Sequence, residues 1–397
     1  MEEQMAKKDF HLSIPKEVAE QLQLKDETPV KLIVKKDRLV VQFEESSRQR
    51  IFQNGVLGWP LLTAVLVSLG YYISFVIQKI HSIKFSGDYS LATDIIVLGV
   101  IMGTLLFAGF FIWDRNNPQN HFTKNIYWRN FPVIVLSFAL ILALVLIGSM
   151  WLFGLLFKGV VFDRFTASII FFVFGVLSNL AMVYFALVVD AGVLSTVLTL
   201  VIISGVVISM AVNNQKYWWQ HNLSFLGTSN ASSGWQFNAT LIFSALLMVA
   251  LIDYLFVSLN EFFAGSRRLI LLRILLTLTA VNLGLVGVFP NNAASHDLHD
   301  QVASFLVFFI IALVVSVRWL LPAVTTDFLV LSYGVGMTLV VAECLFRVLG
   351  YLSLTAFEMI AFLLAFGWLL MLFDRIEALI NNGAESTIAL MDMDKSN

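Results

Sequence analysis

The chain has 397 residues, of which 58% are hydrophobic and 13% charged, well above the apolar share and about half the charged share of a soluble domain, so a soluble enzyme is excluded. A formal charge of −2 gives no global basic field, and nucleic-acid binding would need a local module. The single cysteine, Cys344, lies in an apolar run, which excludes an intrachain disulfide and a cysteine metal cluster.

Residues 1–50 carry most of the dense charge and no long apolar run. Phe10-His11-Leu12-Ser13-Ile14 alternates as a strand does, and Pro15 opens a short helical stretch from Lys16 to Leu22, at a position where its missing N–H costs nothing. Val30 to Lys35 and Arg38 to Phe43 read as two further strands joined at Lys36-Asp37. About 40 residues with so few apolar side chains cannot close a monomeric core, so a homodimer through residues 1–50 is expected. The first apolar stretch starts near Val56 and runs too far for an h-region, so no signal peptide is expected and the first span stays as an anchor.

Ser13-Ile14-Pro15-Lys16-Glu17-Val18, Leu22-Gln23-Leu24, Val30-Lys31-Leu32 and Leu39-Val40-Val41 resemble the AbrB/SpoVT family of swapped-hairpin domains. The resemblance implies an interlocked dimer, and DNA binding through basic residues that map to Lys7, Lys8 and Lys16. One departure is the turn Glu27-Thr28-Pro29, where the family usually has glycine. Residues 1–45 also hold eight Lys and Arg against ten Asp and Glu, the reverse of what a phosphate backbone favours. A DNA-binding dimer and a module that only dimerises both remain open.

Apolar runs at 56–78, 91–113, 131–157, 165–189, 192–212, 239–259, 269–289, 302–321, 326–347 and 353–373 are each long enough to cross a bilayer. The expected fold is therefore mainly α: a polytopic helical membrane bundle of about ten spans behind a small β-rich swapped-hairpin domain. The boundary at Asp190-Ala191-Gly192, a charge and a helix-breaking glycine, decides between nine and ten spans. Trp59, Trp113, Trp128, Trp218, Trp219, Trp235 and Trp319 fall near span ends, as an aromatic belt requires. Gly99 and Gly103 make a small-xxx-small packing face, and Phe171, Phe172 and Phe174 are expected to face lipid.

The division reads as 1–50, a cytoplasmic AbrB/SpoVT-like domain; 51–190, four spans; 191–375, six spans; and 376–397, a polar tail with a short helix at Arg375 to Ile380. Positive charge in short loops favours a cytoplasmic N-terminus by seven residues to six, and the Lys and Arg before the first span add to it. A multi-pass plasma-membrane protein with both termini cytoplasmic follows.

With that orientation, loops 213–238 and 290–301 share the outer face. They contain His221, Asn222, Ser224, Asn230, Asn238, Asn291, Asn292, His296, Asp297, His299 and Asp300. His221, Ser224 and Asp300 are the catalytic candidates. His296 and His299, three apart, can face one way if a helix begins there, and His221 could add a third nitrogen for a divalent metal; interfacial caps facing water are the alternative. Within spans, ionisable residues are costly and tend to be paired or functional. Glu343 and Arg347 can satisfy each other four apart, whereas Asp253, Arg273 and Glu358 lack evident partners. Asp253 is the leading buried carboxylate, with Asn282 or a neighbouring hydroxyl as an equally good structural partner.

Asn222-Leu223-Ser224-Phe225-Leu226-Gly227, Trp235-Gln236-Phe237-Asn238, and Gly287-Val288-Phe289-Pro290 followed by His296 and His299 resemble the bacterial multi-pass family catalogued as domain of unknown function 998, over roughly 193–373. That resemblance implies a fold and a location and no reaction. Three functional classes follow: a membrane-tethered sensor or regulator with a dimerising, DNA-binding-competent module; a membrane-embedded metal-dependent hydrolase or lipid-modifying enzyme at the outer face; and a transporter using Asp253 and Glu343. No inverted repeat favours the last.

Overall fold

A computed structural model describes residues 30–35, 38–43, 56, 58–116, 126–263 and 265–384. Strands β1 (Val30–Lys35) and β2 (Arg38–Phe43) pair antiparallel with Lys35 opposite Arg38, so the two strands and their junction fall where alternation puts them. The rest of the expected swapped-hairpin module, including Lys7, Lys8 and Lys16, lies outside the described residues, and a lone hairpin does not make that domain.

Among the described residues ten α-helices follow: α1 (Gly58–Ile77), α2 (Leu91–Arg115), α3 (Phe131–Leu156), α4 (Arg164–Val188), α5 (Ala191–Val212), α6 (Gly234–Phe262), α7 (Arg267–Val288), α8 (His296–Leu320), α9 (Thr326–Arg347) and α10 (Leu354–Ala384). All ten are long and apolar enough to cross a membrane. Short strands β3 (Ser82–Lys84) and β4 (Val161–Asp163) pair antiparallel, which ties the α1–α2 loop to the α3–α4 loop at one end of the bundle.

Helix starts are set by side chains that accept orphan N–H groups. Ser90 accepts from Thr93, Asp163 from Phe165 and Thr166 and Ser266 from Leu269. The hydroxyl and N–H of Thr166 hold the Asp163 carboxyl below the ordinary carboxylate range. At the doubtful boundary, α4 ends at Val188 and Asp190 caps α5 by accepting from Val193 N–H at 2.7 Å. The break comes from that cap. Gly192 is inside the first turn of α5, with the Glu377 carboxylate beside it.

In α6, 61% of the most apolar 18-residue stretch is buried, against 17–44% in the other nine helices, so α6 is the central helix. It packs against α3, α5, α7 and α10. Close approach is steric: a Cβ at Gly205 of α5 would overlap the Thr240 side chain of α6. In the first four helices Gly99 and Gly103 sit against Leu146, Leu142 and Met182, which is the packing expected of a small-residue face. One apolar core runs without interruption from Tyr71 to Leu379 and crosses the 190/191 division.

Three expectations are corrected. Phe171 is 1% exposed and stacks on Tyr71 at 4.6 Å; it belongs to the core because α4 turns that face to α1 and α2. Trp218 is buried as well, in a small second core with Ile202, Val206, Leu223, Leu226, Phe237 and Leu241, whereas Trp59, Trp113, Trp128, Trp219, Trp235 and Trp319 are exposed. Arg375 to Ile380 is no separate helix, since α10 continues through it to Ala384; residues 385–397 lie outside the described chain.

Candidate functional site

The loop between α5 and α6 is built from three 3₁₀ turns, Asn214–Lys216, Trp218–Gln220 and Leu223–Gly227. Trp218, Leu223 and Leu226 anchor it in the second core. Polar side chains then satisfy its backbone, as a structured loop at the membrane surface requires. Asn213 Nδ2 donates to the Ser209 carbonyl and its Oδ1 accepts from Ser232 N–H. Asn222 Oδ1 accepts from Phe225 N–H at 2.7 Å, and Asn238 Nδ2 donates to the Gly227 carbonyl at 2.9 Å. The α7–α8 loop joins it, since Asn292 Oδ1 accepts from both Ser229 N–H and Ser229 Oγ.

The last helix supplies the third wall. Thr355 Oγ1 donates to the His221 carbonyl at 3.1 Å, and the Glu358 carboxylate accepts the N–H groups of Leu223 and Ser224. Glu358, without an evident partner in sequence, therefore clamps a loop 135 positions away.

At the centre, Ser224 Oγ and His299 Nε2 are 3.1 Å apart, although 75 positions separate them. His299 Nδ1 is 2.7 Å from the Phe289 carbonyl oxygen. A carbonyl only accepts, so Nδ1 carries the hydrogen, and in the neutral ring Nε2 is the acceptor of the Ser224 hydroxyl proton. Ser224 is half-buried and His299 is 4% exposed. A serine hydroxyl, a base in hydrogen-bond reach and a third group that fixes the base's tautomer form an activated-nucleophile arrangement.

The other candidates go elsewhere. His296 opens α8, is exposed, and pairs with Asn291 Oδ1 at 2.6 Å and with Asp300 at 3.5 Å. His296 and His299 thus do not share partners: His296 stays exposed at the first residue of α8, while His299, one turn on, is buried against the Ser224 loop. His221 stacks on Phe225 with ring centroids 4.5 Å apart. Among the described residues, no three His, Cys, Asp or Glu side chains are grouped as metal ligation requires. Asn238 holds the loop through the Gly227 carbonyl.

Asp253 is at the opposite end of the bundle. Its carboxylate accepts from Arg129 at 2.6 Å, Arg273 at 2.9 Å and Asn130 Nδ2 at 3.1 Å. Asn282 instead donates to the Leu278 carbonyl within its own helix. Glu343 and Arg347 pair at 2.6 Å, as four-residue spacing allows.

Ten membrane-crossing helices with a polar, loop-built site at one end define a multi-pass membrane protein. Residues 193–373 match the model of the family described as "Protein of unknown function (DUF998)", the stretch from α5 to α10 that builds the Ser224–His299 site. No curated protein and no solved structure matches the chain.

Proposed function

We propose that the protein is a membrane-embedded hydrolase or acyltransferase acting on an acyl ester at headgroup depth on the outer face, with Ser224 as nucleophile and His299 as general base. The carrying observation is the Ser224–His299–Phe289 carbonyl chain, which holds His299 in the tautomer able to take the serine proton. Ser224 Oγ attacks the ester carbonyl carbon as its proton passes to His299 Nε2. The same proton then goes to the leaving alcohol oxygen as the ester C–O bond breaks. Water or a second alcohol then attacks the acyl-enzyme, deprotonated by His299, which returns that proton to Ser224 Oγ as the acyl–Oγ bond breaks and the acid or new ester leaves.

Lipid is the substrate source this setting favours, because Tyr217 and Trp219 on the loop and Trp235 at the start of α6 are exposed, with rings suited to the headgroup region. This chemistry uses the outer-loop residues without a metal. The regulator reading rests on residues 1–50, of which only 30–35 and 38–43 are described.

The test is labelling of the purified full chain in nanodiscs with a fluorophosphonate probe. Covalent mass at Ser224 is expected, absent in Ser224→Ala and slowed on the order of 10²-fold or more in His299→Gln. A folded wild-type protein that takes no label at Ser224 overturns the reading.

A further inference from the structure

At the other end of the bundle one carboxylate meets two guanidinium groups. Arg129 enters α3, Arg273 lies in the second turn of α7, and both guanidinium groups converge on the single Asp253 carboxylate of α6. Asp253 is 7% exposed in its side chain, while Arg129 is 66% and Arg273 37% exposed. Two cations on one anion leave one net positive charge. One Nη2 of each guanidinium is occupied by Asp253, leaving each arginine further donors. Beside Arg129 lie two exposed aromatic residues, Tyr127, whose ring centroid is 4.9 Å from the guanidinium carbon, and Trp128. Such rings mark headgroup depth.

An excess cation near the hydrocarbon boundary is costly until an anion joins it, and arginine pairs bind phosphate through parallel N–H···O bonds. We infer that Arg129 and Arg273, held together by Asp253, form a phosphate site that takes the headgroup of an anionic phospholipid in the leaflet opposite the Ser224 site. Basic pockets between spans bind such headgroups. The inference does not depend on the Ser224 chemistry.

The experiment measures thermal unfolding of the full chain in nanodiscs of phosphatidylcholine alone, of phosphatidylcholine with phosphatidylglycerol, and of phosphatidylcholine with added inorganic phosphate at matched ionic strength. Phosphatidylglycerol should raise the wild-type midpoint by about 3 °C, and Arg129→Gln and Arg273→Gln should each lose most of that increment. An equal rise with inorganic phosphate in lipid lacking phosphatidylglycerol assigns the site to a soluble anion and overturns the lipid assignment. An increment that is missing in wild type or persists in both arginine variants overturns the site.

Discussion

A Cβ on Gly287 would stand 2.6 Å from the carbonyl oxygen of Asn238 and just over 3 Å from the Ile242 and Leu241 side chains. Only glycine lets α7 approach the first turns of α6 this closely, and Asn238 is itself committed to the Gly227 carbonyl. Backbone cannot shift cheaply there, so Gly287→Ala should destabilise by about 1–3 kcal/mol and slow probe labelling at Ser224. Gly334 and Gly367, with nothing within 4 Å of their Cβ positions, are the controls. Alanine at either should leave the melting temperature level or slightly raised.

Asp253 joins the first four helices to the last six, since its partners sit on the 3₁₀ turn leading into α3 and on α7. Asp253→Ala should cost about 2 kcal/mol, less than a fully buried pair because Arg129 is largely exposed. Denaturant or thermal unfolding measures this, and a loss under about 0.5 kcal/mol would show that apolar packing alone joins the halves.

Glu358 acts on Ser224 only through the loop. Glu358→Ala releases the Leu223 and Ser224 N–H groups and should slow fluorophosphonate labelling about tenfold. The dependence of rate on pH should keep the wild-type shape, because His299 remains the base. An altered shape would instead make Glu358 a participant in proton transfer.

Stability at the start of α4 should depend on pH. Asp163 is depressed below its ordinary range by Thr166, so its contribution is present above about pH 4 and lost as pH falls through its lower folded value. The stability difference between wild type and Asp163→Asn should therefore shrink at the lowest pH values.

Orientation has its own test. In a Cys344→Ser background, single cysteines at Asp88 and Ser229 should react with a membrane-impermeant thiol reagent on intact cells, and one at Arg268 should not. The reverse pattern would turn the protein over and place the Ser224 site inside.

The ten spans, their order and most of their ends were legible in the sequence, because hydrocarbon thickness imposes about 20 apolar residues on any crossing helix. Asp190 at a helix start and Gly99 with Gly103 on one face were equally local signals. The two loops of one face could likewise be named, since alternating spans leave little freedom. What a 3.6-residue repeat could not reveal was which partner each polar side chain meets across helices. Asp253 with Arg129, Glu358 with Leu223, and Ser224 with His299 are 124, 135 and 75 positions apart. The burial of His299 and the exposure of His296 depend on where α8 begins and what it packs against. Burial of Phe171 and Trp218 was hidden for a related reason: in a chain apolar on almost every face, hydrophobicity no longer distinguishes lipid from protein as the neighbour, and only helix packing decides.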